Sequence, residues 1–353
     1  YLTSEIINFY NKNSSNNSIS ADLIPYLIDG SRREDDFPRS MNHFYDPVNN
    51  RGFTNSILGA WQKSKDWAQD SANQNNLTYK VPTVIASVLT ALQQGKISAL
   101  TAETNFTWQQ AINFYVQGDK EKAMFMLGHI LHLIEDISAP EHTRNDPHPG
   151  GGSPYENYTS QFNLTNPDKN LDARLTGKNP IVLSDLNSYF DGLATYSNNN
   201  FYSQDTIGMQ IDYKLPQPEI YPIKVDGLYF AFTKSDEGDH PVFLIKTYNE
   251  GDDLLQLPVW NISIKDPKNL IIKDYWSRLS VKSIQYGAGV INLFFQQAEA
   301  AKNQNNSQTQ DKSFLSQAID AISNFFSGIF GKGNVSDNQN FQPAGQISLD
   351  SQN

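Results

Sequence analysis

Through roughly the first 200 residues, apolar side chains recur at intervals of three and four, the period of an amphipathic helix. The spacing predicts helices over about 20–29, 55–73, 82–95, 107–117, 119–138, 154–164 and 184–200. Asn-, Pro- and Gly-rich connections, such as Asn11–Asn17 and Pro147–Pro154, separate them. The stretch 119–138 is different in kind. Met124, Phe125, Met126, Leu127, Ile130, Leu131, Leu133, Ile134 and Ile137 leave almost no polar face, which marks a central, buried helix. Polar side chains on such a helix need partners, because unsatisfied burial costs roughly several kcal/mol.

The period changes after about residue 205. Tyr221–Thr233, His240–Tyr248 and Val259–Ile264 are rich in β-branched and aromatic residues and are broken by Asp-Gly, Glu-Gly and Pro signals. They predict a small antiparallel β insertion over 205–272. A long helix returns over about 273–301, with Tyr275, Leu279, Ile284, Ala288, Ile291 and Phe295 on its apolar side. From 302 to 353, Asn, Gln and Ser dominate, the composition of a low-complexity tail. Within that tail an amphipathic helix over about 314–330 sets Phe, Ile and Ala against Ser, Asp and Asn. It either packs on the body of the protein or lies at a membrane interface, and packing is the simpler reading. The expected architecture is mainly α. Residues 1–204 form a helical domain, 205–272 a β-rich insertion, and the helix after 272 returns to the helical part.

Composition narrows the chemistry. Hydrophobic residues make up 38% of the 353, enough for a real core. A formal net charge of −11 argues against a protein that coats nucleic acid electrostatically, although a local cationic centre can still bind phosphate. There are no cysteines, so metal donors must be imidazoles and carboxylates. No stretch has the length and apolarity of a spanning helix. The chain opens at Tyr1 without an initiator Met, which reads as a processed or truncated N-terminus.

Of six histidines, His129, His132, His142 and His148 fall within 20 residues. His132 and Asp136 are four apart on the buried helix, so both project from one face toward one point. The helix must end before Pro140, and His142 sits on the turn that leaves it. A single buried His–Asp pair is most simply a hydrogen bond inside a core. His142 and His148 in the same short span favour a metal ion, for which neutral imidazole and carboxylate oxygen are good donors. Upstream, Glu34-Asp35-Asp36 and His43 offer further donors from a loop, although an acidic run alone is usually a solvated face.

These segments resemble a known family. His132-Leu133-Ile134-Glu135-Asp136-Ile137-Ser138-Ala139-Pro140-Glu141-His142 is similar to the His-x3-Asp-x5-His signature of the zinc-dependent phospholipase C and S1/P1 nuclease family. His43-Phe44-Tyr45-Asp46-Pro47 resembles a segment of its phospholipase branch, and Tyr155-Glu156-Asn157 resembles the segment carrying that branch's last glutamate ligand. The late helix around Tyr286–Phe295 is also similar to bacterial members, and the order of the segments is preserved. The resemblance implies a mostly helical phospholipase C/P1 nuclease-like bundle with two or three zinc ions in a cleft. One zinc would be held by Asp35, His43, His132 and Asp136, with Glu34 or Asp36 as one-position alternatives to Asp35. A second would take His142, Glu156 and a further histidine. The family places that histidine four before its glutamate, where this chain has Gly152, so His148 is assigned across an insertion at Pro149–Ser153. A third zinc would use an amino terminus and an early histidine. No histidine precedes His43, and a missing first segment is the favoured explanation. His129 is an alternative donor, better read as bonded within the core.

The implied activity is phosphodiester hydrolysis by attack of metal-bound hydroxide, with Asp35 orienting or deprotonating the water. The phospholipase branch makes a phospholipid or membrane surface the expected partner. Single-stranded nucleic acid is the alternative substrate, and a metal-stabilised binding protein without turnover is the non-enzymatic one. Nothing points to a protein partner. The family also implies a secreted or cell-surface bacterial protein.

Overall fold

A computed structural model describes residues 1–14, 17–36, 38–55, 59–75, 105–147, 153–207, 220–235 and 238–306. The expected helix at 82–95, His148, and the tail with its segment at 314–330 lie outside them. Residues Tyr1–Ala300 form one compact unit. Of the second, Ala301–Asn353, only residues 301–306 are described, as helix.

The chain is mainly helical. Its helices are α1 (Leu2–Asn13), α2 (Ile24–Glu34), α3 (Ser64–Trp67), α4 (Ser71–Asn75), α5 (Trp108–Gln117), α6 (Lys120–Asp136), α7 (Pro140–Thr143), α8 (Pro154–Thr159), α9 (Leu171–Leu175), α10 (Leu186–Asn200) and α11 (Leu270–Asn306). The nearly all-apolar helix is central, as its pattern requires. In α6, Met124, Leu127, Ile130, Leu131 and Ile134 are fully buried. Its start is fixed by Asp119, whose side chain accepts from Lys122 N–H. Gly118, in the left-handed region at φ 93°, closes α5 just before it.

Two segments depart from the periodicity. The helix expected over 55–73 is instead a two-stranded ribbon, β1 (Thr54–Asn55) and β2 (Gly59–Ala60), followed by α3 and α4. Gly59 at φ 78° supplies a left-handed turn conformation that a helix cannot use. Conversely α1, not expected from the sequence, buries Ile6, Ile7, Phe9 and Tyr10. The short helices α7 and α9 are likewise not expected, α2 runs over Ile24–Glu34 instead of 20–29, α8 stops at Thr159, and α11 starts at Leu270.

The β segment is a four-stranded antiparallel sheet in the order β3 (Ile220–Val225), β4 (Leu228–Ser235), β5 (Gly238–Ile245) and β6 (Ile262–Ser263). Asp226 and Gly227, both at positive φ, form the tight turn joining β3 to β4, with Val225 opposite Leu228. Phe230, Val242 and Ile262 of the sheet share a core with Ile271, Tyr275 and Leu279 at the start of α11. Tyr275 Oη donates to the Val242 carbonyl and so ties helix to sheet. No helix among the described residues is long and apolar enough to cross a membrane.

Candidate metal centre

The site begins with two glycines. A Cβ on Gly30 would lie 1.8 Å from the Phe125 carbonyl oxygen, and one on Gly128 would lie 2.2 Å from that of Leu27. Helices α2 and α6 therefore cross backbone to backbone. This brings the C-terminal end of α2, with Glu34 and Asp35, against the last turns of α6, with His129, His132 and Asp136. His43 reaches the same place after a short 3-10 turn (Arg39–Asn42). The main chain of Tyr45 donates to the His142 carbonyl at 2.9 Å, which holds this loop against α7. Pro140 at the first turn of α7 and the Ser153 cap on Glu156 N–H start the two short helices that carry His142 and Glu156.

Three imidazoles from three elements converge on one oxygen. Asp136 Oδ2 lies 2.6 Å from His43 Nδ1, 3.2 Å from His132 Nε2 and 3.5 Å from His142 Nδ1. Yet Asp136 Oδ2 and His132 Nε2 are both buried and make no hydrogen bond among the described residues. Asp35 Oδ1 stands 3.3 Å from His132 Nε2 and 3.8 Å from His43 Nδ1. Asp35, His43 and His132 each present a donor atom within 4.8 Å of the others. His142 then turns its other nitrogen to Glu156, with Nε2 3.0 Å from Oε1. Four tetrahedral donors at ~2.0–2.1 Å from one zinc ion stand ~3.3 Å from each other. The separations around His132 match that figure, and the donor types are those zinc takes. The residues therefore fit the ion that the sequence calls for. The expected donors Asp35, His43, His132, Asp136, His142 and Glu156 are brought together, and among the three adjacent acids it is Asp35 that faces the imidazoles.

The electrostatics agree. Burial works against charge on Asp136, but His132, His142 and His43 outweigh it and hold the carboxyl well below its ordinary range. Burial likewise opposes charge on His132 and His142. Asp136 and Asp35 outweigh it at His132, and Asp136 and Glu156 at His142, so both rings are held well above their usual value. In the metal-free protein, protons on these rings supply positive charge that a cation would otherwise bring.

Glu34 is not a donor to this set. It is wholly buried and accepts from Arg39 at 2.7 Å and from Trp67 Nε1 at 2.8 Å. His129 Nδ1 lies 2.5 Å from its Oε2. Burial pushes the His129 ring down to about 4, so it is neutral and donates through Nδ1. His129 is thus bonded in the core, not to the metal set. Glu34 still matters to the site, because its main-chain carbonyl lies 3.1 Å from His43 Nε2. A carbonyl can only accept, so Nε2 donates and Nδ1 is the nitrogen turned to Asp136 and Asp35, the usual arrangement behind a metal-bound histidine. Sequence patterning missed this role. Its trace was an acid run in which one member sits on the buried side of an amphipathic helix. Phe44, stacked on His142 at 4.7 Å, is a second such residue.

Comparison with known proteins adds little to this geometry. No family model matches the chain, and no curated protein does either. Among solved structures, the alpha toxin of Clostridium absonum is similar at 15% identity and a TM-score of 0.35, over 88% of this chain and 64% of that one. The alpha-toxin of Clostridium perfringens from avian strain SWCP gives 15% and 0.35, over 85% and 63%. The chain thus spans just under two thirds of the length of either toxin.

Proposed function

We propose that this chain is a zinc-dependent phosphoric diester hydrolase of the phospholipase C type, acting on phospholipid at a membrane surface outside the cell. Asp136 carries the proposal: one buried oxygen lies within 3.5 Å of three imidazoles from separate elements, with the Asp35 carboxylate beside two of them. Imidazole nitrogens and carboxylate oxygens gathered around one point are the donor types that zinc takes. Asp35, His43, His132 and Asp136 would hold one zinc, and His142 and Glu156 a second, with His148 the expected further donor. In this reading residues 1–204 and the helix after 272 form the metal-site domain.

When bound, zinc supplies charge against the phosphate oxygens and lowers the pKa of a water toward ~7. The protein's own groups do the rest. Glu34 fixes the tautomer of His43 through its carbonyl. Asp136 holds three rings at one point, and Phe44 covers one face of His142. Asp35 is the exposed member of the set, at 65% against 3% for His43, and would orient an entering water and take its proton. Phospholipid is preferred over single-stranded nucleic acid because the chain is acidic, at a formal −11, and because of the resemblance of His43–Pro47 to the phospholipase branch.

The test is zinc content of the purified chain together with hydrolysis of phosphatidylcholine and of single-stranded DNA. Zinc with lipid hydrolysis, both lost in His132→Ala, is the expected result. Hydrolysis of DNA alone would move the substrate to nucleic acid. A chain that binds no zinc would end the proposal. Chelation should inactivate the enzyme while leaving it folded; unfolding on chelation with no turnover would identify a structural metal in a binding protein.

A further inference from the structure

His43 and His142 come from different elements and are joined through Tyr45. Tyr45 follows His43 by two positions, and its main-chain N–H donates to the His142 carbonyl at 2.9 Å. One loop therefore carries the first imidazole and is bonded to the segment that carries the second. Both rings meet at Asp136, with His43 Nδ1 2.6 Å and His142 Nδ1 3.5 Å from Oδ2. The Tyr45 ring is buried, and its hydroxyl donates to Asp191 Oδ1 on α10 at 2.5 Å. Lys65, on α3, closes the group. Its ammonium donates to Asp191 Oδ1 at 2.7 Å and to Tyr45 Oη at 3.1 Å, and stands 4.8 Å from the centre of the Tyr45 ring. One carboxylate oxygen thus accepts from a phenol and from an ammonium, in bonds that its charge strengthens. The main chain of α3 is tied to the same loop, since Ser64 N–H donates to the Phe44 carbonyl at 2.9 Å.

We propose that Tyr45 is a positioning residue for the metal centre, held in place by Asp191 and Lys65. This rests on the metal reading of the Asp136 cluster and extends it. Burial alone leaves a flat ring free to slide in its own plane, whereas the bond from its far end to α10 removes that freedom. Any shift of Tyr45 moves His43 along the chain and pulls on the His142 carbonyl, while His132 and Asp136 stay on α6. Zinc tolerates little of this, because its donors sit ~2.0–2.1 Å from the ion. Partners behind the ligands of a metal typically change its affinity by about 10- to 100-fold. The Tyr45 hydroxyl reaches the donors only through the main chain, so its effect belongs at the lower end.

Tyr45→Phe keeps the ring and removes only the hydroxyl. Zinc affinity of the full 353-residue protein, read by competition with a chromophoric chelator, should fall about tenfold. Asp191→Ala, at a half-exposed position, should lower it by a similar factor, and Asp191→Glu should recover part of the loss. Tyr45→Phe combined with Asp191→Ala should bind no more weakly than the weaker single variant, because both remove the same bond. Cobalt(II) loaded in place of zinc should show altered visible absorption in Tyr45→Phe and in Asp191→Ala. Asp185→Ala separates position from stability: it removes the cap at the start of the same helix, so it should melt lower yet keep the zinc affinity and the cobalt spectrum of the wild type. If Tyr45→Phe fails to fold, Asp191→Ala carries the measurement. Wild-type zinc affinity and cobalt spectrum in either variant would overturn the positioning role and leave the Asp136 centre standing. No zinc in the wild-type chain would overturn both.

Discussion

Replacing Gly30 by alanine should disable the metal centre without touching a single donor. The new Cβ would meet the Phe125 carbonyl oxygen at 1.8 Å, whereas ordinary contact begins near 3.4 Å. Helices α2 and α6 must then part locally by about 1.6 Å, since the obstacle is backbone and cannot swing aside. Asp35 rides on the end of α2 and His132 on α6, with donor atoms 3.3 Å apart. If most of the displacement reaches them, the gap becomes about 4.9 Å. Two donors on one zinc ion can be at most ~4.2 Å apart, twice the length of a metal–ligand bond. The Asp35–His132 pair would then no longer share an ion. Overpacking of this kind costs about 1–3 kcal/mol, occasionally more. At ~2–4 °C per kcal/mol for a domain of this order of size, the metal-free melting temperature should fall by several degrees. Zinc titration against a competing chromophoric chelator, with melting curves with and without zinc, measures both effects. Gly59→Ala is the control. It sits at φ 78° with nothing within 4 Å of its Cβ, so it should lose some stability and keep its zinc. Wild-type zinc affinity and an unchanged melting temperature in Gly30→Ala would refute the claim that close helix contact sets the donor spacing.

Glu34→Gln should destabilise the fold by about 3–5 kcal/mol, measured by denaturant unfolding, because buried Arg39 loses its counter-charge. Zinc affinity should fall with pH. His132 and His142 hold protons more tightly than usual in the metal-free protein and must release them to bind, so an affinity flat between about pH 5 and 8 would contradict the assignment. Metal-free stability should run the other way. The raised rings contribute fully below their ordinary value of 6.5 and lose that contribution as pH rises through the folded values, while the depressed Asp136 carboxyl loses its own as pH falls below 3.8. Melting curves of the metal-free chain should therefore peak in mildly acid buffer. Asp185→Ala, which removes the cap on Ser188 N–H at the start of α10, should cost about 1 kcal/mol and leave zinc binding unchanged.

Much of this protein is legible in one dimension, because helix period, capping and tight-turn chemistry act over a few neighbouring residues. Helices at 107–117, 119–138 and 184–200 emerge within a residue or two of α5, α6 and α10, each with its start or stop signal in the chain. The Asp226-Gly227 turn likewise announces the β3–β4 pair. Where apolar spacing was short or interrupted by glycine, local pattern misled, as at 55–73 and at α1.

For the site, His132 and Asp136 are a local matter: four residues apart on one helix, they must share a face. That Asp35 is the acid facing His132 and His43, and that Glu34 turns away to anchor Arg39, Trp67 and His129, are decided only by the crossing of α2 over α6. Adjacent acids look alike in sequence. Packing separates them, because consecutive positions on a helix point about a hundred degrees apart, and only the neighbouring helix determines which direction is core, which is cleft and which is solvent.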